Sequence, residues 1–274
     1  VLTYSGEMNS SDCRVMGHSP ADGTVLWDRA LLPCIWTSVA AADVDGDGQD
    51  EIVVSGFSYD YPPFVALLGS DGALRWIRKT EEIPLWAAAG PGLVAVGGAM
   101  GTEGFVASLE PRSGEPRWTT PLPSLPDPED PRKRRPGHSS YGAVAPAPGA
   151  VSSAGVAAST DCGQLFWIAA KDGAVAWSRT PETERVPASP RYGGGPVAIS
   201  AATDTEPTAI FATQVTPYLV RTVAIAYGLD GEEKGAFELE GSVRGVAVGA
   251  AASGRRTIGA ATSLGAAGFD IARR

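Results

Sequence analysis

A tight turn followed by an aromatic residue recurs along this 274-residue chain and constrains its fold more than any other feature. The copies are Ala21-Asp22-Gly23-Thr24-Val25-Leu26-Trp27, Ser70-Asp71-Gly72-Ala73-Leu74-Arg75-Trp76, Arg112-Ser113-Gly114-Glu115-Pro116-Arg117-Trp118 and Lys171-Asp172-Gly173-Ala174-Val175-Ala176-Trp177. A degenerate fifth copy, Leu229-Asp230-Gly231, is followed by Phe237 in place of Trp. The marker glycines lie 49, 42, 59 and 58 residues apart. Asp-Gly or Ser-Gly supplies the positive φ of a tight hairpin, and each copy sits between an apolar run and a short strand ending in Trp. A unit of this length cannot bury both of its faces alone, so the copies must stack on one another, and the spacing is that of a β-propeller blade.

Each turn is preceded by further strand-like runs: Leu93 to Val96 and Phe105 to Leu109 before the third copy, Gly155 to Ser159 and Leu165 to Ala169 before the fourth. Four short strands per repeat is the blade pattern. No stretch sustains a helical apolar period over three turns, and 34 glycines and 22 prolines argue against helices. The expectation is an all-β fold, a single β-propeller domain over residues 1–274 built of four-stranded antiparallel blades. Complete repeats span about Trp36 to Arg78, Leu85 to Thr120, Tyr141 to Thr180 and Gly195 to Leu239. Three strands at the N-terminus (Leu2 to Ser5, Cys13 to His18, Thr24 to Arg29) and three at the C-terminus (Val243 to Ala250, Thr257 to Ala261, Gly268 to Ile271) bring the count to six blades. It falls to five if the terminal strands complete one shared blade, and the chain could equally form part of a seven- or eight-bladed ring.

A blade ending in x-D-G-x-x-x-W resembles the PQQ-like, or quinoprotein-type, propeller repeat. That resemblance implies that the recurrent Trp docks between adjacent blades, a structural role for Trp27, Trp76, Trp118 and Trp177. Each would remove on the order of 200 Å² from water, worth several kcal/mol before entropy. The quinone-dependent members of that family use a vicinal cysteine pair and a calcium inside the central funnel. This chain has no Cys-Cys, so the resemblance implies the fold and not the cofactor.

The second informative stretch runs from Asp43 to Val54, with five carboxylates in nine residues followed by Ile52-Val53-Val54. Acidic side chains at alternating positions repel one another by about 1 kcal/mol per pair even in water, so a hard cation is needed to hold them together. Asp43, Asp45 and Asp47 take positions 1, 3 and 5 of a calcium loop, Gly48 permits the sharp turn, Gln49 offers its backbone carbonyl at position 7 and Glu51 closes the site at position 9. An EF-hand is excluded, because its bidentate Glu at position 12 is here Val54, inside an apolar strand. The spacing D-x-D-x-D-G-x-x-E resembles the loop of FG-GAP, integrin-α-type propeller repeats, where calcium sits in the turn between the first two strands of a blade. The expected metal ligands are therefore Asp43, Asp45, Asp47, Gln49 and Glu51, with calcium as the cofactor.

A net charge of −9 offers no basic stripe for nucleic acid. The one basic cluster, Arg132-Lys133-Arg134-Arg135, lies in a Pro-rich segment at about 121–140 that reads as a long exposed loop. No run of 18 apolar residues exists, so no membrane-spanning segment is expected, and Val1 is not followed by a signal-peptide pattern. Loops of this kind bind calcium at roughly 10⁻⁴ to 10⁻³ M in extracellular modules, which points to an extracellular, cell-surface or periplasmic location. Of the three cysteines, Cys13 and Cys34 are the favoured disulfide pair, with Cys162 left over.

Catalytic constellations do not assemble from this sequence. A triad would have to use His18 or His138, and Gly137-His138-Ser139-Ser140-Tyr141-Gly142 lacks the spacing of a nucleophile elbow. Gly97-Gly98-Ala99-Met100-Gly101 leads into another strand and reads as a turn. The leading functional expectation is a non-enzymatic, calcium-stabilised secreted or cell-surface module that binds a protein or glycan. Alternatives are a structural subunit of an extracellular assembly, which would self-associate, and a carbohydrate-active enzyme such as a polysaccharide lyase. No base and charge-neutralising cation for the lyase can be named from the sequence.

Overall fold

The computed structural model describes residues 2–5, 13–101, 103–124, 132, 150–160, 163–179, 193–200, 209–215, 221–241, 243–250 and 256–270. Among them there is no α-helix, and all strands fall into six antiparallel sheets. The first holds β1 (Leu2–Ser5), β2 (Arg14–His18) and β3 (Val25–Ala30). The second holds β4 (Trp36–Ala42), β5 (Glu51–Phe57), β6 (Phe64–Leu68) and β7 (Leu74–Lys79); the third β8 (Ile83–Gly90), β9 (Leu93–Met100), β10 (Glu103–Leu109) and β11 (Pro116–Leu122). The fourth holds β12 (Ala150–Ser152), β13 (Gly155–Ser159), β14 (Leu165–Ala169) and β15 (Val175–Arg179); the fifth β16 (Gly193–Ser200), β17 (Ala209–Val215), β18 (Arg221–Gly228) and β19 (Glu233–Glu240). The sixth has β20 (Val243–Ala250), β21 (Arg256–Thr262) and β22 (Gly265–Asp270). Within every sheet the strands lie in chain order. The leading strands β4, β8, β12, β16 and β20 pack each against the next. The sheets therefore radiate from a common axis as propeller blades. Among the described residues, the six blades expected from the strand count appear as four four-stranded sheets and two three-stranded ones.

The blades are held together by strands that are apolar on both faces. Side chains alternate across a sheet, so each apolar run serves two interfaces. Ile52 and Val54 of β5, with Phe64, Ala66 and Leu68 of β6, pack against Cys13, Val15 and Cys34. The alternate residues Val53, Val65 and Leu67 pack on Val94, Val96, Phe105, Ala107 and Leu109 of the third sheet. The same sharing joins the third sheet to the fourth through Val106, Leu122, Val156 and Ile168, and the fourth to the fifth through Trp167, Ile210 and Val223.

The recurrent Trp latches each sheet to the next. Indole Nε1 of Trp27 donates to the carbonyl of Ser70 at 3.0 Å, that of Trp76 to Pro111 at 2.7 Å, that of Trp118 to Ala170 at 2.9 Å and that of Trp177 to Leu229 at 2.8 Å. Every acceptor opens the glycine turn of the following sheet. The ring lies flat on that turn: a Cβ at Gly72 would meet Trp27 at 2.5 Å, one at Gly114 Trp76 at 2.8 Å and one at Gly173 Trp118 at 2.7 Å. These glycines are thus required twice, for φ of 72° to 76° and for the absence of a side chain beneath the indole. At the fifth copy Phe237, which has no N–H to donate, packs with Ala224, Leu239, Val243 and Ala260.

Cys13 and Cys34 are joined as a disulfide, their Cα atoms 5.3 Å apart and both residues buried against the second sheet. The pair closes a loop of 21 residues across the first sheet. Such a closure contributes on the order of 3 kcal/mol. Alkylation of the unreduced protein is expected to label neither cysteine, and Cys13→Ser with Cys34→Ser to lower unfolding free energy by about that amount. Labelling of either before reduction would refute the pairing. Cys162, His138 and the Pro-rich basic segment, apart from residues 121–124 and Arg132, lie outside the described residues.

One sequence expectation is corrected. Gly97 to Met100 are not a turn but the end of β9, and only Gly101, at φ 63°, lies in the β9–β10 turn. The glycines are in the strand because a Cβ at Gly97 would collide with the Trp86 indole and one at Gly98 with the Ile83 carbonyl.

The antiparallel order gives the propeller two chemically different ends. The β4–β5 and β6–β7 connections and the Pro91-Gly92 turn share one end. Trp36 and the exposed Tyr59 and Tyr61 of the β5–β6 loop stand at the other.

Candidate metal centre

The hairpin register that pairs Ala42 with Glu51 leaves residues 43 to 50 as the β4–β5 loop. Gly46 and Gly48 adopt φ of 81° and 85°, so the chain turns back on itself twice. The alternating aspartates organise the loop by accepting its amides. Asp43 Oδ1 accepts from Gly46 N at 2.6 Å and Oδ2 from Gly48 N at 3.0 Å. Asp45 Oδ1 accepts from Asp47 N at 3.2 Å, and Asp47 Oδ1 from Gln49 N at 2.8 Å. Val44 anchors the loop in the core.

Asp43, Asp45 and Glu51 each bring an oxygen to within 4.8 Å of the others. Asp47, exposed, lies outside that group; the side-chain carbonyl of exposed Gln49 accepts from the Ser70 hydroxyl at 3.0 Å, while the atom expected to face the ion is its backbone carbonyl. Glu51 is fully buried, and its Oε2 accepts from Val44 N at 3.1 Å. Its Oε1 lies 2.8 Å from Arg75 Nη2 without hydrogen-bond geometry and has no other partner among the described residues. Arg75, from the start of β7, also donates from Nη1 to Asp45 Oδ2 at 2.7 Å and stands 3.9 Å from Asp47. Burial raises the Glu51 carboxyl above the ordinary range. The Val44 amide and the Arg75 charge oppose that rise, and Asp45 and Asp47 add to it.

The donor set fits calcium: hard oxygens only, three converging carboxylates, and one buried oxygen lacking a hydrogen bond. Asp43, Asp45 and Glu51 would hold the ion, which would supply the charge that lets them stay together. Beside them an open cleft of about 520 Å³ separates the loop from the next blade, lined by Ala42, Asp43, Asp45, Asp50, Pro91 and Gly92.

Two sets of residues escape a reading of the sequence alone. Arg75 sits inside a turn repeat, where its neighbours in the chain mark it only as part of that repeat. Two positions after three of the latch tryptophans, a side chain binds the carbonyl of the next turn's glycine: Arg29 Nε to Gly72 at 2.9 Å, Thr120 Oγ1 to Gly173 at 2.6 Å and Arg179 Nε to Gly231 at 2.8 Å. The signal was present as W-x-R or W-x-T. His18 ends β2, its Nδ1 3.1 Å from the Gly23 carbonyl of the turn that follows.

Blades packed one on the next about a common axis, Trp latches and a blade-turn acidic loop define a β-propeller. More particularly, the chain carries two kinds of propeller repeat: residues 35–60 match the FG-GAP repeat, and residues 102–216 match the PQQ-like family described as outer membrane protein assembly factor BamB. No curated protein matches the sequence. Among solved structures, the N-terminal part of BBS1 in complex with ARL6 is similar at TM-score 0.63 and 12% identity, over 96% of this chain and 75% of that one. The Dos1 propeller is similar at TM-score 0.60 and 9% identity, over 95% of this chain. Saccharomyces cerevisiae Sqt1 is similar at TM-score 0.61 and 12% identity, over 96% of this chain. The chain spans 63% of the Dos1 structure's length and 66% of that of Sqt1, and at these identities the likeness concerns the fold.

Proposed function

We propose that this propeller is a non-enzymatic binding module stabilised by calcium and working outside the cytoplasm, with a protein as its partner at the end that carries the acidic loop. The observation that carries the reading is the convergence of Asp43, Asp45 and buried Glu51 on one blade turn beside an open cleft. The Cys13–Cys34 disulfide supports an oxidising compartment. The BamB-type repeats and the BBS1 propeller, described in complex with another protein, support a protein partner over a glycan. A latched frame can present loops rigidly at little entropic cost.

Thermal melting with calcium and with chelator tests the metal half. Calcium at ten times its Kd stabilises by about 1.4 kcal/mol, and Asp45→Ala is expected to remove most of that shift. An identical melt in calcium and chelator would end the reading. Capture of cell-surface or periplasmic proteins on the immobilised chain, with and without chelator, tests the binding half. A partner retained only in calcium is the expected result, and retention of none in either buffer counts against it.

A further inference from the structure

We propose that Arg75 is the resident cation of the acidic loop: it ties Asp45 to Glu51 when no metal is bound and must release those oxygens when a divalent ion enters. This rests on the calcium reading above and assigns the residue that sets the site's affinity. The guanidinium has only donors and a fixed fork, and here the fork spans two carboxylates, Nη1 at 2.7 Å from Asp45 Oδ2 and Nη2 at 2.8 Å from Glu51 Oε1. Asp45 and Glu51 are also two of the three convergent ligands. An arriving divalent ion and the guanidinium would compete for the same charge at close range, and like charges exclude one another there.

The two sides of the contact differ in freedom. Glu51 cannot turn away, because its side chain is fully buried and its other oxygen is held by the Val44 amide. Arg75 can: its side chain is 37% exposed at the start of an outer strand, and its Nε passes over Gly69, where an added Cβ would lie 3.6 Å away. Metal entry therefore displaces the arginine and leaves the glutamate in place. The loop keeps its shape without metal because the chain supplies a positive charge of its own, and calcium binds by exchange with it.

Calorimetric titration with calcium chloride and melting in chelator, on the native chain and on Arg75→Met, tests this. Methionine keeps much of the stem and removes the charge. The variant is expected to bind calcium on the order of tenfold more tightly, to melt lower in chelator and to gain more from calcium. If the native chain binds calcium and the variant binds equally or more weakly, the exchange is wrong and the calcium reading stands. If neither binds, both fall. If only the variant binds, Arg75 holds the site permanently, and both the exchange and the calcium reading fail for the native chain. Should Arg75→Met not fold, Arg75→Lys replaces it, since an ammonium cannot fork across both carboxylates: tighter binding than native supports the exchange and equal or weaker binding overturns it.

Discussion

Trp118→Ala is expected to lower the unfolding free energy by about 2–4 kcal/mol, measured by denaturant titration. The substitution removes an indole packed between the third and fourth sheets, its hydrogen bond to the Ala170 carbonyl and the cover over Gly173. Trp118→Phe keeps most of the apolar contact and loses the donor, so its expected cost is about 1 kcal/mol. In the fifth sheet the register position of the latch Trp is held by Gly235, and Phe237, two residues further on, packs instead with Ala224, Leu239, Val243 and Ala260. Equal losses for Ala and Phe would mean that the hydrogen bond, not the packed ring, holds the blades together. A loss below about 0.5 kcal/mol for Ala would remove the latch from the account.

Glu51→Ala is expected to cost about 2–4 kcal/mol in chelator. It strands the Val44 amide and leaves Arg75 with Asp45 and, at 3.9 Å, Asp47. Breaking a fully buried ion pair costs about 3–5 kcal/mol, and the value is reduced here because Arg75 is 37% exposed. Glu51→Gln separates charge from shape. Because burial raises the Glu51 carboxyl above its ordinary value of 4.5, the folded state binds its proton more tightly than the unfolded state. The stability due to that proton is present at low pH and is lost as pH rises from 4.5 through the raised value. In chelator the glutamine variant should show a shallower fall across that window, read from melts at successive pH values. An unchanged slope would place the pH dependence elsewhere.

Much of the ring was legible because its signals are local. A turn glycine and its Trp lie within five residues of one another, and runs such as Ile52-Val53-Val54 announce strands buried on both faces. The acidic loop was legible for the same reason, since its alternating carboxylates are consecutive in the chain. What failed to show was tertiary. Arg75 meets Asp45 across 30 positions, and nothing in Asp71-Gly72-Ala73-Leu74-Arg75-Trp76 says which way the guanidinium turns. Gly97 and Gly98 look like turn glycines until the Trp86 indole and the Ile83 carbonyl are seen to need their space. The residues two beyond Trp27, Trp118 and Trp177 were hidden likewise, because their acceptors belong to the next repeat.

The opposed placement of the acidic loop and of Trp36, Tyr59 and Tyr61 has a consequence for assembly. A body with unlike poles can sit between two neighbours at once, as a coupler. A contact at the aromatic pole would persist when divalent ions are withdrawn, while one at the carboxylate pole would let go, so ion depletion would uncouple such a chain of contacts at a single joint.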